Sequence, residues 1–240
     1  MRVTVAMTEG AAHFVTPLTF QALTHRPVYT NLWELANATD ISHVALGERA
    51  DLIVVAPATA HTLARLAAGF SDDMLTTTVL ASQAPILLAP AMNVNMWANQ
   101  ATQANIATLQ QRGMLVVPPG EGRMAEPMTG VGRLAEIALI EAEIGATLGR
   151  ASGPLRGWRV VVTAGGTHEA LDPVRFIGNR SSGAMGYALA AAARDAGAAV
   201  TLISGPASAA VPQAVTLVRV ESASEMHTAV HQAVAQTDLL

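Results

Sequence analysis

Three short apolar runs in the first half of the chain each stop at a proline. Residues 51–56 (DLIVVA) end at Pro57, residues 86–89 (ILLA) at Pro90, and residues 114–117 (MLVV) at a Pro-Pro-Gly break. Runs this short and this apolar suit strands buried on both faces, which requires helices packed over them. Residues 60–68 supply one such helix, stopped by Gly69 at the position that favours a left-handed backbone. A second helix is expected after it, with Ser71 as its N-cap and Asp72 and Asp73 in its first turn, where the helix dipole favours acids. Residues 3–7 form a further β-branched run. Strands alternating with helices of this length imply right-handed βαβ units and a parallel sheet.

Residues 145–157 (GATLGRASGPLRG) are rich in Gly, Pro and small side chains and carry no period, which reads as a linker. The pattern then restarts with a strand at 159–163, a glycine turn, a helix ending near Gly197 and strands at 199–204 and 215–220. Ser222 and Glu225 have capping-box spacing and open a last helix. The closing Asp238-Leu-Leu repeats the start of the 51–56 strand, so the chain is expected to end inside a strand. The expected organisation is a first domain over 1–144, a linker over 145–157 and a second domain over 158–240.

Ala, Val and Leu dominate a chain that is 51% hydrophobic and only 13% charged, ample material for two buried cores. A net charge of −4 argues against nonspecific nucleic-acid binding. All 14 Lys and Arg positions are Arg, and there is no Cys, which excludes disulfides, thiolate metal sites and thiol catalysis. No metal site is expected. No signal peptide and no membrane-length apolar run is evident, so a cytoplasmic location without membrane contact is expected.

In open α/β sheets, ligands sit at the carboxyl ends of the strands. Three polar stretches belong with such ends: residues 41–46 (ISHVAL) just ahead of the 51–56 strand, 57–62 (PATAHT) directly after it, and 90–97 (PAMNVNMW) directly after ILLA. Each has an ordinary explanation alone. His43 suits a satisfied core histidine, Thr59 a helix cap, Asn93 a turn, and Met92, Met96 and Trp97 core packing.

Together with residues 69–75 (GFSDDML) and 14–23 (FVTPLTFQAL), these words resemble the flavin-containing cysteine decarboxylases over roughly residues 5–140. The resemblance implies FMN and decarboxylation of 4'-phosphopantothenoylcysteine or a peptidyl cysteine. His43 matches the family's active-site histidine, and an imidazole titrates near neutral pH, where it can accept a thiol proton. Asn93 matches the residue that holds the substrate carboxylate through its amide donors. Pro57, Thr59, Ser71, Asp72, Pro90 and Met92 match the flavin-pocket wall. Residues 119–132 (PGEGRMAEPMTGVG) resemble the family's flexible substrate clamp, with Arg123, Met124 and Glu126 as substrate contacts; a solvated surface loop is the competing reading. Related flavoproteins are homo-oligomers built on trimers, and the Asn93-to-Trp97 segment would be a natural contact.

The second half carries GGTHEALDPVRFIGNRSSG over residues 165–183. A glycine pair after a strand is often only a turn, although its amides can cradle phosphate. The whole string resembles the phosphopantothenate–cysteine ligases, which use CTP and Mg²⁺ to activate 4'-phosphopantothenate for attack by cysteine. Asn179 matches a residue acting on the acyl intermediate, while Gly165, Gly166, Ser181, Ser182 and Gly183 match its phosphate-binding turns. The order of the halves is that of the bifunctional enzymes of coenzyme A biosynthesis. The implied fold is a pair of doubly wound, Rossmann-like or flavodoxin-like three-layer α/β domains with mostly parallel sheets, the second incomplete.

The resemblance has departures. Met1 falls at the family's second strand, so the first domain is expected to lack its first βα unit and phosphate loop. The clamp has no cysteine, His61 stands where Asn or Asp is usual, and Ala184 stands where the ligases generally have Lys. Two alternatives stay open: a catalytically inactive flavin-binding or partner-binding homologue, and an NAD-dependent oxidoreductase. The latter lacks a Gly-x-Gly-x-x-Gly word with its downstream acid.

Overall fold

The first parallel sheet is centred on a strand with no exposed residue. The computed structural model describes residues 2–33, 42–125 and 127–240, which divide into compact units meeting at Ala135 and Glu136. Unit 1 opens with β1 (Val5–Ala6), α1 (Glu9–Ala12), α2 (Pro17–Thr24) and β2 (Val28–Tyr29), the two strands paired in parallel. It continues with α3 (Ser42–Arg49), β3 (Ile53–Ala58), α4 (Ala60–Ala68), α5 (Met74–Ala81), β4 (Ile86–Pro90), α6 (Val94–Ala98), α7 (Gln100–Gln111) and β5 (Leu115–Val116). The sheet order is β3-β4-β5, all parallel, and all five residues of β4 are buried.

The local reasons follow the sequence. Thr59 caps α4 by accepting the Thr62 N–H at 3.2 Å, and Gly69 closes the helix with a left-handed φ of 75°. Leu63, Leu66 and Ala67 fall on one face and bury against Val55, Leu88 and Leu109. Each fully buried leucine contributes about 1.5–3 kcal/mol by leaving water.

A hairpin completes unit 1. Its strands, β6 (Gly120–Arg123) and β7 (Thr129–Arg133), are antiparallel, so most of the expected flexible clamp is regular β structure.

Unit 2 contains α8 (Ile137–Ser152), β8 (Arg159–Ala164), β9 (His168–Ala170), β10 (Phe176–Gly178), α9 (Ala184–Asp195), β11 (Ala199–Ser204), β12 (Thr216–Arg219) and α10 (Ala223–Val234). Its parallel sheet has the order β12-β11-β8, and Leu239 pairs in parallel with Val160 on the free side of β8. Both units are thus mixed α/β with mostly parallel sheets.

The expected linker is largely helix: residues 145–152 lie within α8. Its glycines serve close packing. A side chain at Gly145 would come within 2.6 Å of the Asp195 Oδ1, one at Gly149 would overlap the Asp195 carbonyl, and one at Gly153 the Ala196 carbonyl. Gly145 and Gly149 are four apart and share one stripe of the helix, and Gly153 follows as its C-cap, all three against the end of α9.

The helix expected to start at Ser71 is capped by Asp73 instead. The Asp73 carboxylate accepts the Thr76 N–H at 2.8 Å, and the Thr76 hydroxyl reaches back to the Asp73 N–H at 3.3 Å, a complete capping box. Ser71 donates its hydroxyl to Thr77.

Candidate active site

In unit 1, four of the residues singled out from sequence, Pro57, Thr59, Pro90 and Met92, together with Asn93, lie where β3 and β4 end. Pro57 lies near the end of β3, Thr59 follows it as the α4 cap, and both are exposed. The Ala91 N–H donates to the Ala58 carbonyl at 3.1 Å, which draws the Pro90–Asn93 loop alongside them. Pro90 and Met92 are buried, forming floor rather than rim. Asn93 caps α6, accepting the Asn95 N–H through Oδ1 at 2.8 Å.

The hairpin is seated on this loop. The Met92 N–H donates to the Gly132 carbonyl at 2.8 Å. A side chain at Gly132 would overlap the Met92 carbonyl, and one at Gly130 would lie 3.0 Å from a Val94 methyl. Gly132 has φ 155°, a conformation open to glycine. The Asn93 Nδ2 donates to the Met128 Sδ at 3.9 Å. Met124 closes the turn, its N–H donating to the Met128 carbonyl at 2.9 Å, and Arg123 is exposed at the end of β6. Glu126 lies outside the described residues.

His43 is not in a loop at a strand end, because residues 42–49 form α3. That helix feeds the amino end of β3, where the Ile53 N–H donates to the Pro85 carbonyl. Its Gly47 packs on the end of α5, against Thr78, Ala81 and Ser82. His43 is therefore in the first turn of α3, the turn farthest along the chain from β3. The ring is half-buried, and its Nδ1 is shielded from water with no hydrogen-bond partner among the described residues. A buried ring nitrogen without a protein partner is costly unless water or a ligand completes it.

Ser71 and Asp72 do not join this group. They follow the far end of α4, a helix of nine residues and therefore about 13 Å from Thr59. There Asp72 pairs with Arg65, which also holds Asp73 at 2.7 Å. Burial pushes the Asp73 carboxyl up, but the Thr76 N–H and hydroxyl and then Arg65 more than offset it, so its pKa is lowered.

Unit 2 has a second cluster at the carboxyl ends of β8 and β11. Gly165 has φ 81°, and its Cβ would come 2.7 Å from the Gly205 carbonyl. Gly166 has no room for a side chain because the Asn179 Oδ1 occupies that space. Asn179 accepts the Ser181 N–H at 3.3 Å, the Ser181 hydroxyl accepts the Gly183 N–H, and the Ser182 hydroxyl accepts the Ala184 N–H. Gly183 caps α9, so Ser181, Ser182 and Gly183 stand at a helix N-terminus. Beneath the turn, the buried Tyr187 and Ser204 hydroxyls are 2.8 Å apart, and Ser204 donates to the Gly205 carbonyl.

Sequence reasoning placed Met128 and Gly132 within the clamp without singling them out, and did not name Gly205, Tyr187 or Ser204. A Gly-Pro pair directly after a strand could have flagged Gly205, whereas nothing in the local pattern marks Met128. Among the described residues, no three His, Cys, Asp or Glu gather as a metal site, and no helix is long and apolar enough to cross a membrane.

Residues 1–149 match the family model described as Flavoprotein, and residues 155–240 match the DNA/pantothenate metabolism flavoprotein C-terminal domain. The first match runs into α8, which packs within unit 2. The coenzyme A biosynthesis bifunctional protein CoaBC of Bacillus subtilis is 47% identical over 243 residues, covering 99% of this chain and 59% of its own length. That of Mycobacterium tuberculosis is 47% identical over 243 residues, covering 100% and 58%. The chain thus spans under two thirds of these relatives. The solved structure of the FMN-dependent cysteine decarboxylase SpaF is 35% identical with a TM-score of 0.54, covering 62% of this chain and 78% of its own. A PPC decarboxylase mutant complexed with pantothenoylaminoethenethiol is 30% identical with a TM-score of 0.52, covering 60% and 81%. With the Flavoprotein match alone spanning more than half of its length, the chain belongs to the flavoprotein family.

Proposed function

We propose that unit 1 is an FMN-dependent phosphopantothenoylcysteine decarboxylase acting in coenzyme A biosynthesis. One observation carries the reading: Asn93, at the carboxyl end of the central strand, lies beneath a hairpin seated on its own loop. An amide donor under a β cover suits a small carboxylate held away from water.

The residues present fit the ring end of a flavin. Exposed Pro57 and Thr59 rim a buried floor of Ala58, Pro90 and Met92, and the unpaired His43 Nδ1 awaits a polar partner. Pro57, Thr59, Pro90 and Met92 would hold the ring end of the group. When bound, the flavin supplies the two-electron oxidation of the substrate thiol that places the carboxylate β to an electron sink, and it returns those electrons after carbon dioxide leaves.

The chain's own residues do the rest. Asn93 fixes the substrate carboxylate without a buried countercharge, His43 takes the thiol proton, and Arg123 draws the anionic substrate to the hairpin. Oligomerisation on trimers and a cytoplasmic setting belong to the same reading.

For unit 2 we propose part of a phosphopantothenate–cysteine ligase site taking CTP with Mg²⁺, phosphopantothenate and cysteine. The support is the glycine turn packed against Asn179 beside the start of α9, where backbone N–H groups favour phosphate.

The test is purified protein with a flavin absorption spectrum that releases carbon dioxide from 4'-phosphopantothenoylcysteine. Flavin retention without carbon dioxide release would point instead to an inactive flavin-binding homologue.

A further inference from the structure

The amide of Asn93 could sit either way round, and its surroundings choose. The Asn95 N–H at 2.8 Å demands an acceptor, which fixes Oδ1 toward α6 and turns Nδ2 toward the hairpin. There it meets the Met128 sulfur at 3.9 Å. The reversed amide would set its NH₂ against the Asn95 N–H, donor against donor, and its oxygen against the thioether.

We propose that Met128 is a positioning residue for the reaction assigned above. Its thioether steadies the Asn93 amide with the NH₂ on the hairpin side, the orientation that can grip a substrate carboxylate. The choice of sulfur matters. A thioether is a weak acceptor, so it stabilises the orientation in the free enzyme yet yields to a carboxylate, a far stronger partner. A carboxamide in its place would hold the donor and compete with substrate. Met128 is itself placed by backbone: its carbonyl accepts the Met124 N–H, and the β7 strand after it is pinned through Gly132 to Met92. Hairpin seating and amide orientation are therefore one mechanical unit.

This inference rests on the decarboxylase reading, and its test separates the two. In the FMN-loaded protein, M128L keeps the volume and removes the sulfur acceptor, whereas M128Q supplies a stronger one. The readouts are turnover of 4'-phosphopantothenoylcysteine and the side-chain amide resonance of Asn93 without substrate, identified by its absence in N93A. M128L is expected to move that resonance and lower kcat/KM about twofold to tenfold, the range for one modest hydrogen bond. M128Q is expected to move it and raise KM with kcat retained. An unmoved resonance in M128L, or a moved one with kcat/KM unchanged, overturns the role of Met128. An inactive wild-type enzyme overturns the decarboxylase reading instead, and the resonance alone then decides whether Met128 holds the amide.

Discussion

The amide oxygen of Asn179 occupies the space that a side chain at Gly166 would need. The glycine turn after β8 and the loop before α9 are thereby packed backbone to side chain.

Gly166→Ala should therefore destabilise the protein by about 1–3 kcal/mol, the usual cost of forcing extra volume into a packed site. Asn179→Ala in the same chain should recover much of that loss by removing the colliding atom. Urea unfolding of the two single variants and the double variant measures the coupling. Strict additivity would mean that the two residues do not meet.

The stripe on α8 gives a prediction of opposite sign to the usual rule. Replacing an interior helical glycine with alanine ordinarily stabilises by roughly 0.5–1 kcal/mol. Gly149→Ala should instead destabilise, because its new methyl would overlap the Asp195 carbonyl and lie 2.7 Å from the Gly197 nitrogen. A lower midpoint of denaturation is expected, and a raised midpoint would refute the close packing of α8 on α9.

Asp73 sets a pH dependence. Its folded pKa lies below its unfolded value of 3.8, so its contribution is complete well above that value. That contribution is lost as pH falls through the folded pKa. Stability should decline on acidification below about pH 4, and Asp73→Asn, which can still cap α5, should flatten part of that acid limb. Asp73→Ala should cost a further 0.5–2 kcal/mol or so through the lost cap. Thermal melts between pH 3 and 7 read both effects; an unchanged acid limb in Asp73→Asn counts against the assignment.

Much of the architecture was legible because it is written in local pattern. The 60–68 helix with its Gly69 stop, the strands ending at Pro57 and Pro90, and the Ser222 capping box all follow from spacing and cap chemistry. The failures share a cause: one residue type serves two physical ends. Glycines at 145, 149 and 153 read as linker because glycine is common in connecting segments, yet here they admit the end of α9. Ser71 is a good cap, but Asp73 stands next to the first helical residue and has Thr76 at reciprocal spacing. Asp72 pairs with Arg65 on the preceding helix, a partner that local spacing does not reveal. Of the candidate site, the positions of Asn93 and Thr59 after strands were legible, whereas the Asn93–Met128 contact spans 35 residues and leaves no local trace.

Turnover of 4'-phosphopantothenoylcysteine by the FMN-loaded protein, with His43→Ala and Asn93→Ala alongside, probes the proposal at its root. The wild-type protein should release carbon dioxide, and His43→Ala should lose about 10²–10⁴-fold in rate, the span for a positioned acid–base group, with a loss in Asn93→Ala and flavin retained in both. Wild-type rates in both variants, or a protein that takes up neither flavin nor substrate, would contradict it.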